Sequence, residues 1–156
     1  MSERFVKFLA TGFGSGCLPY APGTWGSVVG IGYAWALSLL DWHWQLPIIA
    51  TVLLGSVWLS GIAQNIYKRK DAPEIVIDEI AAFPVAALFA WNAGRWTPLL
   101  VIAAFVLFRI ADILKPFPVN QSQHLRGGWG VVIDDVIAAV YAGIVVLGLR
   151  VLVEKL

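Results

Sequence analysis

Five carboxylates stand in three short motifs whose other residues are mostly apolar. Asp78 and Glu79 open "IDEIAAFPVA", Asp112 lies in "FRIADILKPFP", and Asp134 and Asp135 lie in "RGGWGVVIDDVIAA". An acid at a helix start is ordinarily a cap that accepts backbone N–H bonds and complements the dipole. That reading accounts for Asp78 and Glu79 taken alone. Asp134 and Asp135 differ: on a helix they point about 100° apart, so one can bind an ion while the other orients a ligand or a helix end. Two like charges entering an apolar segment repel and resist desolvation, and a bound cation is the simplest compensation. Together Asp78, Glu79, Asp112, Asp134 and Asp135 are an oxygen-rich set with no His or Cys partners, which selects a hard ion such as Mg2+ over Zn2+. These five are the candidate metal ligands and catalytic acids.

The cations complete the chemistry. Arg109, Asp112 and Lys115 recur every third residue along one helical strip until Pro116 stops the helix. Charges inside an apolar run are costly unless they face protein or water, and an Arg109–Asp112 ion pair at (i, i+3) is the plain structural alternative. A hard metal beside Arg109 and Lys115, with Arg126 further along, suits a phosphoryl group whose oxygens need neutralising. The stretch "GSGCLPYAPGTWGS" (14–27) looks like a phosphate-gripping loop but contains no Lys or Arg. It lacks the ending of a nucleotide-binding P-loop, and no strand precedes it. It offers backbone N–H groups, a Pro22–Gly23 turn, and the hydroxyls of Thr24 and Ser27, which could cap the following helix or contact phosphate. A simple interfacial turn is the competing reading. Cys17 is a small packing residue, because a Cys-x5-Arg phosphatase loop would need arginine where Gly23 sits. His43 reads as interfacial, and His124 as a polar loop residue or a phosphate contact.

These side chains must be positioned by apolar helices. The chain has 156 residues, 59% hydrophobic and 13% charged, with a mean hydropathy of +0.77. Soluble domains run at roughly 45–50% apolar and about 25% charged, so this is a membrane composition. The eight tryptophans suit a bilayer interface. A net charge of +1 with no basic stripe excludes a nucleic-acid binder. No apolar signal segment follows the charged N-terminus. Uncharged or nearly uncharged segments cover 24–40, 46–67, 79–94, 97–114 and 136–153, the third being short and holding Pro84. The expected fold is all-α: a polytopic membrane helical bundle in a single domain, 1–156, with about four to five membrane segments. A short N-terminal amphipathic helix carrying Phe5, Phe8 and Leu9 precedes them. Residues 79–94 could span or re-enter.

Lys and Arg favour the cytoplasmic side. That bias places Arg4, Lys7, Lys68, Arg69, Lys70, Lys115 and Arg126 there, with Asp41, the Arg95 turn, Glu154 and Lys155 opposite. Seven of the ten acids then meet at the cytoplasmic face.

The four motifs "GSGCLPYAPGTWGS", "VIDEIAAFPVA", "FRIADILKPFP" and "RGGWGVVIDDVIAA", in this order, resemble those of the phosphatidylglycerophosphatase A family of bacterial membrane phosphatases. The resemblance covers nearly the whole chain. It implies an all-helical, Mg2+-dependent enzyme of the inner membrane, active at the cytoplasmic face. Its substrate would be the phospholipid phosphatidylglycerophosphate, converted to phosphatidylglycerol. Carried over residue by residue, the motifs assign Asp78, Glu79, Arg109, Asp112, Lys115, Pro116, Gly128, Gly130, Asp134 and Asp135. The opening motif adds Pro19, Ala21, Pro22, Gly23, Thr24, Gly26 and Ser27. An ion-coupled transporter would instead place acids near the midplane of several spans, preferably in repeated halves. A non-catalytic lipid-binding subunit would need no such gathering of acids.

Overall fold

The computed structural model describes residues 1–92 and 95–153. The end of the 79–94 segment and the C-terminal Glu154 and Lys155 lie outside the described residues. Among the described residues the regular structure is helical apart from a two-residue antiparallel ladder, Trp91–Asn92 with Arg95–Trp96. Helix α1 is Glu3–Ala10, capped by Ser2, with Glu3 in its first turn and Lys7 in its last. It buries Val6 and Ala10 against the helix Trp42–Tyr67 and leaves Phe5 and Phe8 exposed, the two-faced helix the sequence predicts.

Helices α2 (Pro22–Ser38), α3 (Trp42–Tyr67), α4 (Ile77–Leu88), α5 (Pro98–Leu114) and α7 (Gly128–Val153) form the bundle, with α6 (Val119–Ser122) a single turn before α7. Pro22 and Pro98 each sit in the first turn of their helix, where the missing N–H costs nothing. At 1.5 Å per residue, the 26 residues of α3 and of α7 reach about 39 Å, enough to cross a hydrocarbon core of about 30 Å. These two helices are long and apolar enough to span a membrane. The 17-residue α2 and α5 fall just short, and the 12-residue α4 reaches only about 18 Å. Among the described residues, the spanning segments supported by length and composition are therefore two, where the sequence suggested four to five.

Helix α4 is the hub. It packs against α2, α3, α5 and α7, and Ala81, Ala82, Phe83, Pro84, Ala86 and Ala87 are all buried. Small residues make this crowding possible. A Cβ at Gly30 of α2 would press on Phe83, one at Gly143 of α7 on Phe89, and one at Gly128 on the backbone of α3 at Val57. Gly128 and Gly130 are thus contact positions in the first turn of α7, and Gly127, with φ +61°, makes the left-handed turn that precedes it. Phe83 stacks edge-on against Phe108, and the core continues through Ala104, Ala138, Ala139, Ala142 and Val146. The outer surface is apolar as well: Trp35, Trp42, Trp44, Trp58, Ile102, Val106 and Ile144 are exposed.

Candidate active site

The acid motifs converge at one end of the bundle. A cleft of about 300 Å³ is lined by Asp71, Asp78, Glu79, Asp112, Asp134 and Asp135, with Arg109 and Lys115 among them. Six carboxylates face two cations. Residues as far apart in sequence as Asp78 and Asp135 meet here because α4 presents its N-terminal turn, α5 its C-terminal turn and α7 its second turn at the same level.

Arg109 is fixed from two sides. Its Nη1 lies 2.9 Å from Glu79 Oε2 and 2.9 Å from Asp112 Oδ2, so the (i, i+3) pair forms and is shared with α4. Its Nε is buried with no hydrogen-bond partner. Lys115, the left-handed C-cap of α5, sets its ammonium 2.8 Å from Asp134 Oδ2 and 4.0 Å from Asp71. Gln123 donates to Asp134 at 2.8 Å and to Asp71 at 3.3 Å, tying the α6 turn to α7.

Asp78 and Asp135 contrast with these paired acids. Each is only 3% exposed. Among the described residues the Asp78 carboxylate accepts only the neighbouring Glu79 N–H, at 3.0 Å. Asp135 has no hydrogen-bonding or ion-pairing side-chain partner among the described residues. Burial, and then the charge of Glu79, push the Asp78 carboxyl well above its ordinary range. Glu79 is raised from 4.5 to about 7, chiefly by burial, with Arg109 opposing. Burial also acts to lower Lys115, but its hydrogen bond and charge pairing with Asp134 outweigh this and hold the ammonium above its usual 10.5. Ionised carboxylates held this close without a partner call for a cation.

Among the described residues no group of three or more His, Cys, Asp or Glu side chains is placed to hold a metal ion. Mg2+ does not require that: it keeps several waters and is bound through one or two carboxylates plus substrate phosphate. The all-oxygen donors and the two buried acids lacking a cationic partner fit such an ion.

The Gly-rich segment is the remaining wall. Ala21, Pro22 and Gly23 line the cleft. A Cβ added at Gly23 would collide with the Glu79 carboxylate, and one at Gly26 would press on Val76 and approach that carboxylate. Ser27 is fully buried. Its hydroxyl lies 2.9 Å from the Gly23 carbonyl and 3.2 Å from Glu79 Oε2, so its one proton serves either, and it accepts from Arg109 at 3.4 Å. Ser27 therefore orients Glu79 and Arg109 in this structure. Thr24 makes no side-chain hydrogen bond among the described residues and does not line the cleft. Neither hydroxyl caps α2, whose N-cap is Ala21 with φ +49° and no side-chain cap bond. Backbone geometry, imposed by the Pro22 start, replaces the expected cap.

Asp71 and Gln123 join the site from segments that carry no local sign of it. Asp71 follows "KRK" in what reads as a solvated charged turn, and Gln123 sits in a polar run. Only their pairing with Lys115 and Asp134 marks them. Arg126 and His124 lie outside this cleft.

An acid-lined cleft with two anchored cations at the end of a helical bundle defines a helical enzyme built to handle a phosphate ester. The family model described as Phosphatidylglycerophosphatase A matches residues 8–150, and the chain belongs to that family, whose members are phosphatases. It is 40% identical over 149 residues to the Phosphatidylglycerophosphatase A of Haemophilus influenzae, covering 93% of this chain and 88% of that protein. It is 35% identical over 135 residues to the Escherichia coli protein of the same name, covering 85% and 76%. A Bacteroides thetaiotaomicron protein described as a candidate phosphatidylinositol-3-phosphatase is 34% identical over 143 residues, covering 88% and 89%. No solved structure matches the chain.

Proposed function

We propose that the protein is a Mg2+-dependent phosphatase that hydrolyses the terminal phosphate of phosphatidylglycerophosphate to give phosphatidylglycerol. The observation that carries the chemistry is the pair of buried acids without a cationic partner, Asp78 and Asp135, beside the anchored cations Arg109 and Lys115. The lipid comes from the names of the Haemophilus influenzae and Escherichia coli relatives. The Bacteroides thetaiotaomicron relative is named for a different lipid monophosphate, so the shared chemistry is a phosphate monoester on a lipid head group.

Asp78 and Asp135, with Glu79, Asp112 and Asp134, would hold one or two Mg2+ ions directly or through waters. Bound there, the ion would neutralise phosphoryl oxygens and make a water molecule more acidic. Arg109 and Lys115 would hold the remaining phosphate oxygens by charge-assisted hydrogen bonds. A cleft carboxylate would accept the proton of the attacking water. The water oxygen bonds to phosphorus, the bond from phosphorus to the glycerol oxygen breaks, and that oxygen leaves with a proton. Direct attack and an aspartyl-phosphate intermediate are distinguished by the stereochemistry at phosphorus in a chiral phosphate ester: inversion marks a single displacement, and retention would establish the covalent intermediate. The exposed tryptophans and apolar faces of α2, α3 and α5 support a multi-pass arrangement in the bacterial inner membrane. The positive-inside bias supports a cytoplasmic cleft.

The decisive experiment is phosphate release by purified protein from phosphatidylglycerophosphate and from other lipid monophosphates, with Mg2+ or with chelator. Wild type is expected to need Mg2+, and Asp78→Asn to lose at least about a hundredfold in rate while remaining folded. Full Mg2+-dependent activity in a folded Asp78→Asn protein would remove that residue from the site.

A further inference from the structure

A second charged cleft lies beside the first and has the opposite sign. Lys68, Arg69 and Lys70, which follow α3, and Arg126, from the turn before α7, line a groove of about 440 Å³ together with His124 and Gln64. No Asp or Glu lines this groove. Lys68, Arg69 and Arg126 are exposed and make no ion pair among the described residues. The Gln64 amide nitrogen is buried without an acceptor. One cation at the α3 C-terminus is explained by the helix dipole, since Lys68 is its left-handed C-cap. The dipole does not explain Arg126, which arrives from a different part of the chain to face the same groove. Four positive side chains without an acid among them leave an uncompensated field suited to an anion.

The groove neighbours the catalytic cleft. A third hollow of about 380 Å³ lies between them. It shares Lys70 and His124 with the basic groove, and Asp71 and Val131 with the acidic cleft. The three hollows therefore lie side by side, with Lys70, on the wall that the basic groove and the middle hollow share, held by its 2.6 Å hydrogen bond to the Gln123 carbonyl. Phosphatidylglycerophosphate carries two phosphates, the terminal monoester that is cleaved and the phosphodiester that stays with the lipid. We propose that the basic groove of Lys68, Arg69 and Arg126 is a specificity subsite that holds the uncleaved phosphodiester of the lipid substrate while the monoester occupies the acidic cleft. This rests on the reading of the protein as a phosphatidylglycerophosphate phosphatase. A subsite of this kind lets a wall of six carboxylates accept an anionic lipid, because attraction at the remote phosphate offsets repulsion at the cleft mouth.

The test uses the full-length protein in neutral-detergent micelles. The Lys68→Gln/Arg69→Gln/Arg126→Gln variant is expected to raise KM for phosphatidylglycerophosphate at least about tenfold with kcat within about twofold, because uniform binding is lost and the chemistry is untouched. Phosphatidylglycerol, which keeps only the phosphodiester, should inhibit the wild type competitively, and the variant's inhibition constant should weaken by the same factor. Phosphatidic acid, a diacyl lipid with only a monoester phosphate, should show the same KM in both proteins. An unchanged KM, an equal KM shift on phosphatidic acid, or activation by phosphatidylglycerol would each overturn the proposal, the last by assigning the groove to a neighbouring bilayer lipid. If the triple variant misfolds, Arg69→Gln and Arg126→Gln singly should each show a smaller shift in the same direction. If the wild type releases no phosphate from phosphatidylglycerophosphate, the functional reading fails. The groove is then judged separately by binding of phosphatidylglycerol-containing nanodiscs against phosphatidylcholine ones: a preference lost in the variant supports it, and no preference overturns it.

Discussion

Helices α3 and α4 are both apolar and contain no charged residue beyond the first turn, yet they do opposite work. Helix α3 is 26 residues long, and most of its apolar window faces outward, only 28% of it being buried. Helix α4 is 12 residues long, and four other helices enclose it. The first meets its surroundings, and the second organises the protein. Charge follows the same division. The Asp78–Glu79 pair opens α4 inside the bundle, where burial raises both carboxyls, whereas the basic run after α3 is exposed to solvent. A charge in the enclosed position acts on its neighbours at low dielectric, and one in the open position is largely screened.

The sharpest way to break this comparison is to cut one large side chain from the enclosed helix. Phe83→Ala removes a fully buried ring and should cost about 3–5 kcal/mol of stability, read by thermal or denaturant unfolding in detergent. The next test addresses how the Gly-rich segment abuts the enclosed helix. Gly23→Ala places a methyl group against the Glu79 carboxylate, and displacing that group by an ångström should lower kcat about tenfold or more while the fold survives, as circular dichroism and gel filtration would show.

The third test uses pH. In metal-free protein, Glu79 binds its proton more tightly folded, at about 7, than at its ordinary 4.5, and Asp78 shifts in the same direction. Folding is therefore favoured at low pH by these groups. The Glu79 contribution is lost as pH rises from about 4.5 through 7. Unfolding midpoints measured in chelator should fall across that window, and Mg2+ should oppose the fall, because a cation stabilises the ionised acids. The smallest effect belongs to the open helix: Trp58→Ala removes a side chain that is 60% exposed and should change detergent stability by about 0.5 kcal/mol or less. An effect as large as that of Phe83→Ala would erase the distinction between the two helices.

The helical class, the five acids, Arg109 and Lys115 were all legible in the sequence, because uncharged runs and charges embedded in them are local signals that need no fold to be noticed. Spans were less legible. Residues 79–94 are apolar whether they cross a bilayer or fill a core, and hydropathy does not separate the two environments. Only packing shows that α4 is a buried hub 12 residues long. The same ambiguity affected Ser27, whose hydroxyl could have capped a helix, met a ligand or braced a neighbour. Tertiary contact with Glu79 and Arg109 shows the third, and the left-handed Ala21 at the α2 N-cap removes the first.

By itself, then, the sequence determined which residues carry charge into an apolar chain and the helical segments on which they ride. The tertiary structure decided their pairing: Arg109 with Glu79 across two helices, Lys115 with Asp134, Asp71 and Gln123 brought in from an ordinary-looking turn, and Asp78 and Asp135 left without a cation. Helix periodicity is written in neighbours three and four positions apart, whereas the partners of a buried charge lie tens of residues away. Their identity is settled only when close-packed helices bring the ends of α4, α5 and α7 to one level.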